Sequence, residues 1–301
     1  MKLIPTLRQL QFFVALAHRQ SFSKAADDCL VSQSTLSSAI MELEGLLGAR
    51  LVDRSTRRVA LTESGRQVAE RAAAIIAAAE DLARIASARL PLEGAFHLGV
   101  IPTIAPFLLP AATARLASFY PRLDLFLRED LTAQLAERLI AGQLDAAILA
   151  FPVDLPGIEH EEVGEDPFYV AAPPDHPLMK HKVVRAEDLG EASLLLLEDG
   201  HCMRDHALDA CRLQERAIGA YGATSLLTLT QMVRSGLGAT LLPKMAVDAG
   251  LAESTGLKVA RLAPPSPGRR IGVAWRKGSA RADEARLVAA AIRQVMARPS
   301  A

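Results

Sequence analysis

Cys202 and Cys211 bracket a stretch whose side chains bear directly on sulfur chemistry: Gly200-His201-Cys202-Met203-Arg204-Asp205-His206. An apolar run from Ser193 to Leu197 and a glycine turn precede Cys202, a pattern that predicts a helix starting there. A helix N-terminus, His201, Arg204 and Arg212 all favour the thiolate, which is the reactive form of cysteine. Cys202 is therefore a candidate for oxidation through sulfenic acid, with Cys211 as the thiol that resolves it. Two other readings stay open. Cys211 fits ordinary core packing on its own helix. His201, Cys202, His206 and Cys211 are zinc ligands by type, although the spacing matches no common zinc module and two of the four are adjacent. If Met203–Gln214 is one helix, the nine-position separation of the cysteines spans about 13.5 Å along its axis and about 180° around it. A disulfide needs Cα atoms within about 7 Å. Either no bond forms or the segment unwinds, and a forced refolding of that kind supplies the two states a switch requires.

The rest of the chain must position these residues. Half of the 301 residues are apolar and 23% are charged, which excludes a disordered or fibrous chain. Three cysteines are too few for a disulfide scaffold, and Cys29 reads as core packing on a predicted second helix. Basic and acidic residues balance overall, but residues 1–61 carry eight basic against five acidic groups. Arg50, Arg54, Arg57 and Arg58 form a local basic strip within that surplus. No apolar run approaches the roughly 18 residues of a membrane-spanning helix. Lys2, Arg8, Gln9 and Gln11 interrupt anything like a secretory apolar core, so the expected location is cytoplasmic.

Leu10, Phe13, Val14 and Ala17 fit the spacing of an amphipathic helix. Ser21-Phe22-Ser23 breaks it and caps a second helix carrying Ala25, Ala26 and Cys29. Ser32 caps a third, striped by Leu36, Ile40, Leu43, Leu46 and Leu47 and stopped by Gly48. Arg50–Val52 and Arg57–Leu61 read as a small hairpin. Thr62 to Arg89 reads as a helix of about 42 Å at the standard rise. Its Ala-rich stripe through Val68, Ala72, Ile75, Ala79, Leu82 and Ile85 predicts pairing with a second copy. Beyond Pro91, strands are expected at Phe96–Ile101, Leu123–Leu127, Asp145–Ala150, Phe168–Ala172, Ser193–Leu197 and Ala239–Leu242. Helices are expected at Ile104–Tyr120, Thr132–Gly142, Met203–Gln214 and Leu226–Ser235. This alternation points to parallel α/β packing with a site at the carboxyl ends of strands. The chain is expected to cross between two halves near 163–167 and 265–270.

Three helices with a tight turn between the second and third predict a helix-turn-helix. The third opens on Ser32-Gln33-Ser34-Thr35-Leu36-Ser37-Ser38, whose short polar side chains suit the major groove. The hairpin arginines suit phosphates or the minor groove.

Residues 7–66 resemble the DNA-binding domain of LysR-type transcriptional regulators. Ala25-Ala26, Val31–Ser37, Leu43-Glu44, Leu47-Gly48, Leu51–Arg54 and Leu61–Gly65 carry the match in order and spacing. The resemblance implies a multidomain α+β fold. A winged helix-turn-helix covers 1–61 and a linker or dimerisation helix covers 62–90. An α/β effector domain resembling periplasmic binding proteins covers 91–301. Its subdomain I is about 91–163 with 268–301, and its subdomain II about 164–267.

Within that family the chain is similar to the OxyR class of hydrogen-peroxide sensors. Leu197–Cys202, Arg204-Asp205, Cys211, Ile101-Pro102-Thr103, Leu144-Asp145-Ala146, Ala223–Leu226 and Leu241-Leu242-Pro243 carry this second match. It implies that Cys202 is peroxidatic and Cys211 resolving. Thr103, Thr132, His201, Asp205 and Arg269 would hold peroxide, with Arg270 a second candidate for the arginine. Ser32, Gln33, Ser34, Thr35, Ser38, Arg50, Arg54 and Arg57 would meet DNA. The implied partners are double-stranded promoter DNA, further copies as dimer and tetramer, RNA polymerase, and a thiol reductant such as glutaredoxin or thioredoxin. No cofactor or metal is implied, and no enzymatic turnover. The chain departs from the class where His-Phe-Arg commonly precedes Ala-Thr-Ser, having Ala220-Tyr221-Gly222, and where Leu227 replaces a frequent Glu. Those departures remove polar groups near the cysteine segment, where they bear on the balance of reduced and oxidised forms. A regulator whose effector is a small organic molecule in the C-terminal cleft is the alternative reading. A thiol peroxidase would leave the DNA-binding segment without a use.

Overall fold

Local capping chemistry sets the first helices. The computed structural model describes residues 4–53, 59–85, 90–191, 193–211, 218–264 and 267–297. Thr6 and Gln9 form a capping box that starts α1 (Leu7–Arg19), satisfying backbone donors that a helix end leaves free. Ser21 caps α2 (Phe22–Asp28) and Ser32 caps α3 (Gln33–Leu47), which ends on Gly48 at φ 64°. Cys29 falls just past α2 as its C-cap and packs against the core of this unit. Leu10, Phe13, Leu16, Leu36, Ile40 and Leu43 build that core, as the helical spacing predicts.

The hairpin pairs β1 (Val52–Asp53) with β2 (Ala60–Leu61), antiparallel, and Glu44 of α3 accepts from the Leu51 and Val52 amides at 2.8 and 3.1 Å. Arg54, Arg57 and Arg58 lie outside the described residues. The long helix α4 spans Glu63–Ile85. Its apolar stripe divides. Val68, Ala69, Ala72 and Ile76 pack on the core of their own unit, whereas Ile75, Leu82 and Ile85 stay exposed.

The second unit, residues 89–139 and 144–301, holds ten strands among the described residues. In order they are β3 (Gly94–Val100), α5 (Ala105–Phe119), β4 (Leu123–Glu129), α6 (Thr132–Ile140), β5 (Ala146–Phe151), β6 (Ile158–Ala172), β7 (Val183–Val184), β8 (Leu194–Leu197), α7 (Cys202–Cys211), β9 (Ile218–Ala223), α8 (Leu226–Met232), β10 (Ala239–Pro243), α9 (Lys244–Asp248), α10 (Leu251–Ser254), β11 (Lys258–Leu262), β12 (Gly268–Arg276) and α11 (Ala282–Met296). The first half orders its strands β4-β3-β5-β12-β6 and the second β6-β10-β8-β9, with β11 and then β7 on the other side of β6. β3 is parallel to β4 and β5, and β8 is parallel to β9 and β10.

One continuous strand, β6, runs through both halves. Residues 158–167 of β6 pair with β12 in the first half, and residues 168–172 pair with β10 and β11 in the second. Each half has its own core. Phe96, Leu98, Ile148, Val273 and Ile292 lie in the first, and Phe168, Val170, Leu195, Leu229 and Leu241 in the second.

Gly65, third residue of α4, faces the hairpin so closely that an added Cβ would stand 2.1 Å from the Leu51 carbonyl oxygen. Alanine ordinarily gains about 1 kcal/mol over glycine within a helix. Here the obstacle is backbone, which cannot rotate away. Gly65→Ala is expected to lose about 1–3 kcal/mol of the stability of this unit, measured by chemical denaturation. A gain in stability would contradict the packing.

Candidate functional site

The parallel strands β3 and β8 end at Val100 and Leu197, and the loops beyond them carry Thr103 and His201-Cys202. Cys202 is the first residue of α7, and Thr132 the first of α6. Arg269 lies near the start of β12, one residue in from the crossing. Thr103, Thr132, Arg269 and the adjacent pair His201-Cys202, from four distant stretches of sequence, therefore meet between the two halves. Cys202 belongs to the second half by its helix but packs against the core of the first.

A small cavity lies at this point, lined by Ile101, Pro102, Thr103, Leu131, Thr132, Gly200, His201 and Cys202. It leaves about 10 Å³ for the centre of a water-sized molecule, which is room for one water or little more. Thr103 and Thr132 are both buried. The Thr132 hydroxyl makes no hydrogen bond of regular geometry among the described residues. Thr103 Oγ1 accepts from Arg269 Nη1 at 2.6 Å, so its own hydrogen remains available to donate.

Arg269 is fully buried, and each of its three nitrogens has a partner. Its Nε and Nη2 each lie 3.0 Å from Asp166 Oδ2, and Nη2 also donates to the Thr103 carbonyl at 3.0 Å. Asp166 Oδ1 accepts from the Met245 amide at 3.0 Å. Burial pushes the Asp166 carboxyl upward, opposed by Arg269 and by the Met245 N–H. Arg270 points elsewhere: it is half exposed and pairs with Glu162 at 2.8 Å. Of the two arginines, Arg269 is the one bonded to a residue of the cavity wall, Thr103.

The expectation that neighbouring cations hold Cys202 as a thiolate is corrected. Burial raises the Cys202 pKa above its ordinary value, and the Asp205 charge adds to the rise. The Arg269 charge, the Thr132 hydroxyl and the Met203 amide pull it back only in part. Burial likewise lowers the His201 pKa, against the Glu198 charge, and so disfavours its charged form. Arg204 is committed to Asp199 at 2.9 Å, and Arg212 lies outside the described residues. Asp205 is exposed and does not line the cavity.

Cys211 is the last residue of α7. The helix is one unbroken element, so its ends are about 13.5 Å apart and no disulfide spans them in this conformation. His206 donates from Nε2 to the Pro152 carbonyl, 2.9 Å away. No cluster of three or more His, Cys, Asp or Glu side chains able to hold a metal ion occurs among the described residues. Gly222 sits against Glu198, where an added Cβ would come 3.0 Å from Cγ, and Leu227 is exposed.

In the first unit, Ser32, Gln33, Ser34, Thr35 and Ser38 are exposed along the start of α3, and Arg50 is exposed beside them in sequence. Ser32 Oγ caps the helix through the Thr35 amide at 3.1 Å and also meets the Ser34 and Thr35 hydroxyls. Arg54 and Arg57 fall outside the described residues. Sequence reasoning missed Asp166 and Met245, which hold Arg269 in place. No local pattern marks Asp166, because its arginine is 103 residues away.

Two family models match the chain: "Bacterial regulatory helix-turn-helix protein, lysR family" over residues 7–66 and "LysR substrate binding domain" over residues 90–297. A probable hydrogen peroxide-inducible genes activator of Streptomyces viridosporus is 42% identical over 295 residues, covering 97% of this chain and 95% of that protein. A full-length OxyR variant from Pseudomonas aeruginosa is structurally similar, with TM-score 0.80, 34% identity, and coverage of 96% and 98%. A cysteine mutant of Corynebacterium glutamicum OxyR with hydrogen peroxide bound has TM-score 0.65, 34% identity, and coverage of 98% and 94%.

Removing Arg269 strands the Asp166 carboxylate in a dry site. Arg269→Met is expected to cost about 3–5 kcal/mol of stability, read by denaturant unfolding. It also removes the charge that favours the Cys202 thiolate. The pH at which Cys202 becomes alkylatable by a neutral reagent should move higher than in the wild type. Unchanged stability with an unchanged alkylation profile would contradict the role given to this guanidinium.

Proposed function

The chain belongs to the LysR family of helix-turn-helix transcriptional regulators, and from that premise we propose that it senses hydrogen peroxide through Cys202 and answers at promoter DNA. The single observation that carries this reading is the cavity beside the sulfur. It has room for one molecule about the size of water, and organic effectors need sites of about 300–1,000 Å³. Two threonines line that space, and the buried Arg269 guanidinium stands behind one of them, bonded to the Thr103 hydroxyl.

Peroxide held there lies with one oxygen toward the sulfur. The thiolate of Cys202 attacks that oxygen and the O–O bond breaks. A sulfenic acid forms, and hydroxide leaves and takes up a proton to become water. Thr103 and Thr132 orient the bond, and Arg269 stabilises the thiolate and the leaving hydroxide. The Cys202 pKa is raised at rest, so the reactive fraction is formed against burial, with Arg269 as its counter-charge. The Cys211 thiol then attacks the sulfenic sulfur, a disulfide forms and a second water leaves. That step requires α7 to unwind, and the unwound segment is the second state of the switch.

In this reading α3 lies in the major groove with Gln33, Ser34, Thr35 and Ser38 toward base edges and Ser32 at its cap. Arg50, with Arg54 and Arg57, meets the phosphates. The exposed Ile75, Leu82 and Ile85 of α4 suit pairing with a second copy, and pairs of dimers would make a tetramer. Oxidation rearranges those dimers and so changes promoter and RNA polymerase contacts. Resetting needs an outside reductant such as glutaredoxin or thioredoxin in the cytoplasm. The protein consumes one peroxide per switch and is not a turnover enzyme.

A second reading rests on a different observation. A groove of about 570 Å³, lined in part by Phe107, Arg115, Glu165, Lys244 and Met245, has the size of an organic effector site. The cysteines separate the two readings. Cys202→Ser is expected to abolish peroxide-dependent change in transcription from a target promoter while DNA affinity of the reduced protein stays within about twofold. Equal peroxide responses from variant and wild type would defeat the peroxide reading.

A further inference from the structure

Both cysteines stand on α7, and that helix is held on two sides. Met203 and Ala207, one turn apart, are buried in the core of the second half. Cys202 and His206, also one turn apart, share another face. Cys202 packs on the core of the first half, and His206, only 6% exposed, donates from Nε2 to the Pro152 carbonyl just past β5 at 2.9 Å. A carbonyl oxygen only accepts, so Nε2 carries the hydrogen. This bond ties the middle of α7 to the backbone of the other half, and the sulfur chemistry described above makes no use of it.

We propose that His206 is a positioning residue, a latch that holds α7 in its reduced, helical form and thereby sets the redox balance of the Cys202–Cys211 pair. The inference rests on the peroxide reading above. His206 lies four residues after Cys202 and five before Cys211. Bringing the two ends from about 13.5 Å to within 7 Å unwinds the turns on both sides of it, so the bond to Pro152 is made only in the reduced state. An interaction made in one state alone shifts the equilibrium toward that state. The latch therefore makes the disulfide easier to reduce. Its loss stabilises the oxidised form relative to the reduced one and lowers the reduction potential.

The magnitude is that of one hydrogen bond to a carbonyl that can regain water, about three- to tenfold in the equilibrium constant. A tenfold change in this two-electron couple is about 30 mV. His206 does not line the peroxide cavity, so the first oxidation of Cys202 should keep its wild-type rate. Gln places an amide nitrogen at nearly the position of the imidazole Nε2, whereas Leu offers no donor and Asn is too short.

The test equilibrates full-length wild type, His206→Leu and His206→Gln in dithiothreitol buffers of graded potential. The fraction with Cys202–Cys211 bonded is then read by thiol alkylation and mass spectrometry. The midpoint of His206→Leu is expected to fall by up to about 30 mV, and His206→Gln to return to within a few millivolts of wild type. If the Leu variant does not fold, His206→Asn is expected to show the same fall. A midpoint equal to wild type in the folded loss variant, or a Gln variant displaced as far as the Leu variant, overturns the latch and leaves the peroxide reading intact. Absence of any Cys202–Cys211 bond in the wild type overturns both.

Discussion

A guanidinium buried away from water must have its charge matched and its donors filled, and the second unit is arranged around that demand at Arg269. The residue faces Asp166 across the β12–β6 register, so the counter-charge comes from the neighbouring strand. Further donors go to the hydroxyl and carbonyl of Thr103 in the loop after β3. Asp166 in turn accepts from Met245 at the start of α9. One cation thus joins the first half, both crossing strands and the second half. An unpaired charge in that position would cost several kcal/mol, so the pieces hold one another in register.

The reactivity assigned to Cys202 follows from the same arrangement. Burial alone disfavours its thiolate, and the neighbours in sequence do little to help. Burial disfavours the charged form of His201, and Arg204 is tied to Asp199. The help comes from Arg269, whose partners also fix the Thr103 hydroxyl at the cavity. A protected, protonated thiol suits a sensor that should ignore bulkier oxidants. Access is limited to a molecule that fits about 10 Å³ of centre space, and the Arg269 charge is already fixed in place by Asp166 and Thr103. In the proposed mechanism the helix converts a chemical change into a mechanical one, because Cys202 and Cys211 stand at opposite ends of an intact ten-residue helix.

Much of this was legible in the residues. The stripe Leu36, Ile40, Leu43 and the caps Ser21, Ser32 and Gly48 specify three short helices because capping and periodicity are local. The strands around Leu98, Ile148, Leu195 and Leu241 were legible as short apolar runs with both faces covered. The first part of β6 was not, because Glu159, Glu161, Glu162 and Glu165 make it read as a polar connection. It is a strand because β12 pairs with it along its length. Expectation for the Cys202 pKa ran the wrong way because it counted neighbours along the chain, while the solvent exclusion that dominates comes from packing against the other half. Asp166, Met245 and Pro152 act through contacts more than 20 residues from their partners in sequence, which no spacing rule reports.

The central claim is that peroxide joins Cys202 to Cys211 and that the helix between them refolds to permit it. The direct measurement is the mass of peptides from reduced, full-length protein given a brief, near-stoichiometric pulse of hydrogen peroxide and then alkylated. The account predicts a linked peptide containing Cys202 and Cys211, with Cys29 alkylated. Recovery of Cys202 and Cys211 both in alkylated form would contradict it.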